Sequence, residues 1–336
     1  MHDPSEPARK RAMAAFLAAC GWESVRPTPL AGDASFRRYY RLGGDSRRAI
    51  LMDAPPPQEN VVSYITVSKL LRRLGFSAPE VFAEDRARGF LLIEDFGDDT
   101  YTGLLDRGAD EPALYTLAVD TLIALQRAVE AGGSPDLPPY DAERLLAEAV
   151  LLVDWYAPAA LGESLSESRR DEYLDLWRKL LPQAALPDDT LVLRDYHVDN
   201  LMLLPDRSGV QGCGLLDFQD AVWGPPSYDL VSLLEDARRD VPADLRRQMT
   251  ERYLAAFPAL DRAAFLRSAA ILAVQRNCKI LGIFTRLWQR DGKPRYLVHL
   301  PRLWRLLEQE LAHPALDPIA RWLDCYLPRS ARHISA

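Results

Sequence analysis

The chain has only four cysteines in 336 residues, at positions 20, 213, 278 and 325, and none belongs to a C-x-x-C pair. That spacing supports neither a disulfide framework nor a structural zinc site, and it fits a reducing compartment such as the cytoplasm. The five histidines are equally scattered and form no H-E-x-x-H pair. Any metal would therefore be held by oxygen ligands, which favours magnesium. No apolar run approaches the roughly 18 residues that cross a bilayer, so no membrane-spanning helix is expected. The 18 glycines and 25 prolines gather into no repeat, which excludes fibrous and low-complexity classes. Positive charge is scarce as well: 41 Lys and Arg against 48 Asp and Glu leave a formal charge of -7. That balance argues against nucleic acid as the main partner but not against a small phosphorylated ligand.

What is present is an ordinary globular mixture, 48% apolar and 26% charged, long enough for about two domains or lobes. Arg9-Lys10-Arg11 ahead of the alanine-rich stretch 12–20 has the outline of a short signal segment. Its apolar part is brief and mostly alanine, and it reads better as a first helix closed at Gly21. Between Asp33 and Glu94 short alternating runs at 35–42, 48–52, 81–83 and 90–93 predict an antiparallel sheet, interrupted by one helix over 59–74. After Gly97 the pattern predicts helices at 141–156, 169–181, 228–236, 244–256, 262–287 and 297–311. Three short strands, 190–194, 200–204 and 212–216, break that helical half. The fold class is α+β: a small antiparallel-sheet lobe, residues 1–96, and a large mainly helical lobe, 97–336.

The chemistry concentrates in Leu193-Arg194-Asp195-Tyr196-His197-Val198-Asp199-Asn200 and, seventeen residues on, Asp217-Phe218-Gln219-Asp220. Phosphoryl transfer needs a carboxylate that accepts the proton of the attacking hydroxyl. It also needs an amide oxygen and a second carboxylate to hold magnesium against nucleotide phosphates. Asp195, Asn200 and Asp217 supply that set.

Arg194-Asp195 with Asn200, and Asp217-Phe218, resemble the H-R-D-x-x-x-x-N and D-F-G elements of protein kinases. The following Trp223-Gly224-Pro225-Pro226-Ser227-Tyr228-Asp229 is similar to the aminoglycoside phosphotransferase branch, and Leu92-Ile93-Glu94-Asp95-Phe96-Gly97 resembles its hinge. Gly32-Asp33-Ala34-Ser35-Phe36-Arg37-Arg38, the Ile50 to Pro56 segment and Gln275-Arg276-Asn277 narrow the resemblance to the bacterial anomeric amino-sugar kinases. It implies a two-lobed kinase-like fold that uses ATP and Mg2+ to phosphorylate N-acetylmuramate and N-acetylglucosamine at C1 in peptidoglycan recycling. Carried over, Asp195 is the proton acceptor, and Asn200 and Asp217 are the metal ligands. Ser35, Phe36 and Arg37 lie in the nucleotide-covering turn, Glu94 and Phe96 border adenine, and Asp229 steadies the catalytic loop.

Three positions depart from the wider kinase pattern. Met52 stands where the strand lysine of V-A-I-K would be, Leu193 replaces the histidine of H-R-D, and Gln219 replaces the glycine of D-F-G. Arg37 and Arg38 are the candidates to neutralise phosphate in place of the lysine. For the acceptor, the candidates are His197, Asp199, an aromatic platform at Trp155, and Arg276, whose fork suits a sugar carboxylate. A kinase for an aminoglycoside or choline, and a nucleotide-binding pseudokinase, are the competing readings.

Overall fold

The computed structural model describes residues 6–30, 36–44, 47–132 and 136–334. They form two compact units: residues up to Asp110 together with Asp199–Asp220, and Glu111–Val198 together with Ala221 onward.

The first unit opens with α1 (Glu6–Ala19), the expected alanine-rich helix, ended by Gly21 at φ +72°. A glycine is favoured there because a side chain strains that left-handed backbone. Strands β1 (Thr28–Pro29), β2 (Arg38–Gly44), β3 (Arg47–Asp53), β4 (Val81–Asp85) and β5 (Phe90–Ile93) pair antiparallel in the order β1-β2-β3-β5-β4. Side chains alternate across a strand, so β3 serves two faces. Ala49 and Leu51 pack with Phe16, Leu17 and Trp22, whereas Ile50 turns toward a cavity. Asn60 caps α2 (Val61–Arg73) by accepting the Val62 N–H at 2.8 Å. Thr100 caps α3 (Tyr101–Asp106), a helix too short to show in the sequence pattern. A hairpin of 201–203 and 213–215 completes the unit, tied to it by Leu203 N to Asp99 O at 2.8 Å and Leu215 N to Ser77 O at 2.7 Å.

The second unit is helical: α4 (Glu111–Gly132), α5 (Ala142–Ala149), α6 (Ala157–Leu161), α7 (Glu167–Leu180), α8 (Ser227–Leu234), α9 (Ala243–Ala256), α10 (Arg262–Gln289), α11 (Leu300–Glu310) and α12 (Asp317–Tyr326). Its main core gathers Tyr173, Trp177, Ile271, Leu281, Leu303 and Trp322 around α10. The single helix expected over 141–156 is broken. It ends as α5 at Ala149, and Leu152–Tyr156 form a π turn. Close approach of α10 accompanies the break: a Cβ built on Gly282 would lie 2.3 Å from the Leu151 carbonyl oxygen. An antiparallel strand pair, Thr190–Val192 with Val222–Gly224, brackets the segment richest in polar chemistry.

Candidate active site

In the first unit a cavity of about 630 Å³ opens beneath β2, β3 and β5, within the size range of small-molecule sites. Ile50, Ile93, Met202 and Leu216 give it apolar walls. Arg37, Glu94, Asn200 and Asp217 bring charge and hydrogen-bonding groups, and Phe96 adds a ring. Leu216 N donates to Asn200 O at 2.9 Å, which holds the residue ahead of the 201–203 strand beside the residue that follows the 213–215 strand and precedes Asp217. Asp217 sits at φ +56°, one of two described non-glycine residues in the left-handed region. Backbone held in so sparsely populated a region collects at functional sites. Next to it Phe218 is fully buried, its ring 4.9 Å from Tyr64 of α2.

The Asp217 carboxylate accepts from Gln219 Nε2 at 3.0 Å and faces Arg37 Nη1 at 3.4 Å, with 42% of its side chain exposed. Burial disfavours the Arg37 charge, yet Tyr39, Asp217, Glu59 and Asp220 more than offset this and raise its pKa. Burial likewise pushes the Tyr39 hydroxyl up to about 12, against the pull of Arg37. Glu94 pairs with Arg207 and, at 3.5 Å, with Arg72. The Phe96 ring lies against Gly214, where a Cβ would come within 2.9 Å of it.

The sequence pattern did not single out Arg41. From β2 its guanidinium grips the segment after β5: Asp95 at 2.8 Å, the Gly97 carbonyl at 2.8 Å and Asp98 at 2.6 Å. Phe36 and Arg38 are exposed and do not line the cavity, and Ser35 lies outside the described residues. Asp199 accepts from the Thr102 hydroxyl.

Asp195 belongs to the second unit, half-buried at the end of the strand pair, with its N–H 2.9 Å from the Leu193 carbonyl. Arg194 before it holds φ +71°. The buried Asp229 carboxylate accepts from Leu193 N at 2.6 Å and Arg194 N at 2.9 Å, the steadying contact expected of it. Burial raises Asp229 to about 7, against those two N–H groups. Ser232 Oγ donates to the Arg194 carbonyl at 3.2 Å. The Arg194 side chain pairs with Glu148, which also accepts from Tyr140 at 2.6 Å and Lys279 at 3.0 Å. Burial opposes the Glu148 charge, but Lys279 and Arg194 outweigh it and lower the pKa. Glu148 was missed by sequence reasoning, although an acidic residue between Leu145 and Leu152 on an apolar helix face was its signal. Tyr196 donates to the Ala118 carbonyl at 2.8 Å, and His197 is buried. Arg276 is buried in α10, its Nη1 3.1 Å from the Glu235 carbonyl, and Trp155 is half-buried in the π turn.

Residues 26–266 match the phosphotransferase enzyme family, to which the chain belongs. Within it the chain resembles an N-acetylmuramate/N-acetylglucosamine kinase of Caulobacter vibrioides, 37% identical with 96% of this chain and 98% of that protein covered. A second kinase of that name, from Pseudomonas aeruginosa, is 40% identical over 93% and 92% of the two chains. Among solved structures, the choline kinase LicA from Streptococcus pneumoniae covers 90% of this chain and 99% of its own at a TM-score of 0.63 and 14% identity. The ADP-bound aminoglycoside phosphotransferase APH(2'')-Ib covers 89% and 98% at a TM-score of 0.56 and 15% identity. At such identities the likeness is one of fold, and it is the expected kinase-like α+β fold. Among the described residues no helix is long and apolar enough to cross a membrane.

Proposed function

We propose that this phosphotransferase moves the γ-phosphoryl group of ATP to the C1 hydroxyl of N-acetylmuramate and N-acetylglucosamine, acting in the cytoplasm in the recycling of cell-wall sugars. The two N-acetylmuramate/N-acetylglucosamine kinase relatives support the choice of acceptor sugars. The observation that carries it is the joining of Asn200 and Asp217 through the Leu216 N–H, both opening with Arg37 onto one cavity.

An amide oxygen and a carboxylate are hard donors of the kind magnesium takes, and Asp217 already faces a positive group in Arg37. Asn200 and Asp217 would hold the ion, which when bound draws negative charge from the phosphates. Glu94 and Phe96 are proposed to border the base and Arg37 to meet phosphate. Asp195 takes the proton of the sugar hydroxyl, a transfer eased because an anomeric hydroxyl is more acidic than an ordinary alcohol. His197, Asp199, Trp155 and Arg276 are the candidates for holding the sugar. Phosphorus NMR of the products from N-acetylmuramate, N-acetylglucosamine and an aminoglycoside tests the assignment. A C1 phosphate on the two amino sugars is expected. A C6 phosphate, or turnover of the aminoglycoside alone, would overturn it.

A further inference from the structure

We propose that Arg37 and Glu59 together replace the strand lysine and helix glutamate of the wider kinase pattern, with Arg37 as the phosphate-facing cation and Glu59 as the positioning residue that aims it. The inference rests on the nucleotide site proposed above and adds the residue that organises it.

In that pattern the lysine of the third strand pairs with a glutamate of the following helix and with nucleotide phosphate. Here β3 carries Met52 instead, 1% exposed and opposite Tyr39 in the β2–β3 register. Met52 lies two residues from Ile50 on the same face, so the lysine position is filled by a neutral thioether at the cavity side of the strand. A replacement comes from the residues just before β2. Glu59, just ahead of the cap of α2, receives the Phe36 N–H on Oε1 at 3.2 Å and faces Arg37 Nε with Oε2 at 3.3 Å. One carboxylate thus fixes both the backbone of the turn and the guanidinium that follows it. Arg37 is only 11% exposed on its side chain, and its Nη1 reaches Asp217 at 3.4 Å.

This division of the guanidinium has a chemical consequence. Nε lies in charge contact with Glu59, while Nη1 is shared with a carboxylate proposed to bind metal. A divalent cation held by Asp217 would compete with Nη1 for that oxygen, and Glu59 would keep the guanidinium at the cavity, where Nη1 could meet a phosphate. The planar fork of arginine allows this, since separate N–H groups serve separate acceptors. The ion pair of the kinase pattern is thereby moved from strand and helix to the residue before β2 and the residue ahead of the α2 cap.

Calorimetric titration of the full chain with MgATP and, separately, with adenosine tests the proposal, because adenosine fits the base pocket without engaging a phosphate cation. Arg37→Met is expected to weaken MgATP by on the order of tenfold or more, and Glu59→Gln by about three- to tenfold, the range of a charge-assisted contact. Both should leave adenosine within about twofold of the parent protein. Glu59→Asp should recover part of the MgATP loss. An unchanged MgATP affinity in Glu59→Gln would overturn the proposal. So would equal losses for MgATP and adenosine, which would mark Glu59 as a structural prop. If the parent protein binds MgATP yet phosphorylates neither amino sugar, the proposed function falls and the Arg37–Glu59 assignment is still decided by these affinities.

Discussion

Asp229 holds Arg194 in the left-handed region: the Arg194 N–H points at the Asp229 carboxylate from 2.9 Å while its φ stands at +71°. For a side chain as large as arginine that backbone is unfavourable unless the surroundings determine it. The Leu193 N–H on the same carboxylate, Ser232 on the carbonyl and Glu148 on the guanidinium supply the determination. The backbone entering Asp195 is therefore set by a helix 35 residues further on.

Asp229→Ala should leave two buried N–H groups without their acceptor, lowering stability by about 3 kcal/mol and kcat by about a hundredfold. Denaturant unfolding and steady-state kinetics read the two effects. A parent-like kcat would show that Asp229 does not position Asp195. Asp229→Asn, which keeps one acceptor oxygen, should fall between the two proteins.

Asp195→Asn should lower kcat by about a hundred- to ten-thousandfold, the usual worth of a positioned acid or base. Its MgATP affinity should stay near that of the parent, and retention of most activity in the variant would rule out Asp195 as the obligatory proton acceptor.

For Asp217→Ala the expected loss is the reverse in kind. MgATP binding should weaken on the order of tenfold or more, with less change for ATP in the presence of a chelator, because only the metal-dependent part of the affinity passes through this carboxylate. Equal affinities with and without magnesium in the parent protein would refute the ligand role.

The stability of the chain should fall as pH rises from about 5 to 8, and Glu235 is one cause. Burial, reinforced by Glu310, pushes Glu235 up to about 8 from an ordinary 4.5, with Asn277, Arg246 and Arg276 acting in the opposite direction. A folded-state value above the unfolded one means that the folded protein binds the extra proton. That contribution is complete below about 4.5 and is lost as pH rises through about 8. Glu235→Gln keeps a neutral group beside Asn277 and should flatten the profile in urea unfolding across this range. A variant with the parent's slope would assign the dependence to other groups.

The candidate residues were legible because the motifs that carry them are local in sequence. Asp195, Asn200 and Asp217 stand at fixed spacings beside short strands, and the apolar run from Ala49 to Met52 marks β3 as a buried strand. Arg41 was illegible for a different reason. Its grip on Asp95, Gly97 and Asp98 depends on which strands are neighbours and in what register, which no spacing along β2 reveals. The helix break after Ala149 was hidden as well, since the apolar period continues through it and the close approach of Gly282 comes from a segment 131 residues away.

The first unit is assembled from two separated stretches, with the hairpin of 201–203 and 213–215 returning to residues 77 and 99. During synthesis on the ribosome, the sheet of that unit emerges long before the hairpin that finishes its cavity. The cavity beneath that sheet cannot be completed until Asp217 has been made, so a nascent chain stalled earlier would carry a sheet whose cavity face is uncovered.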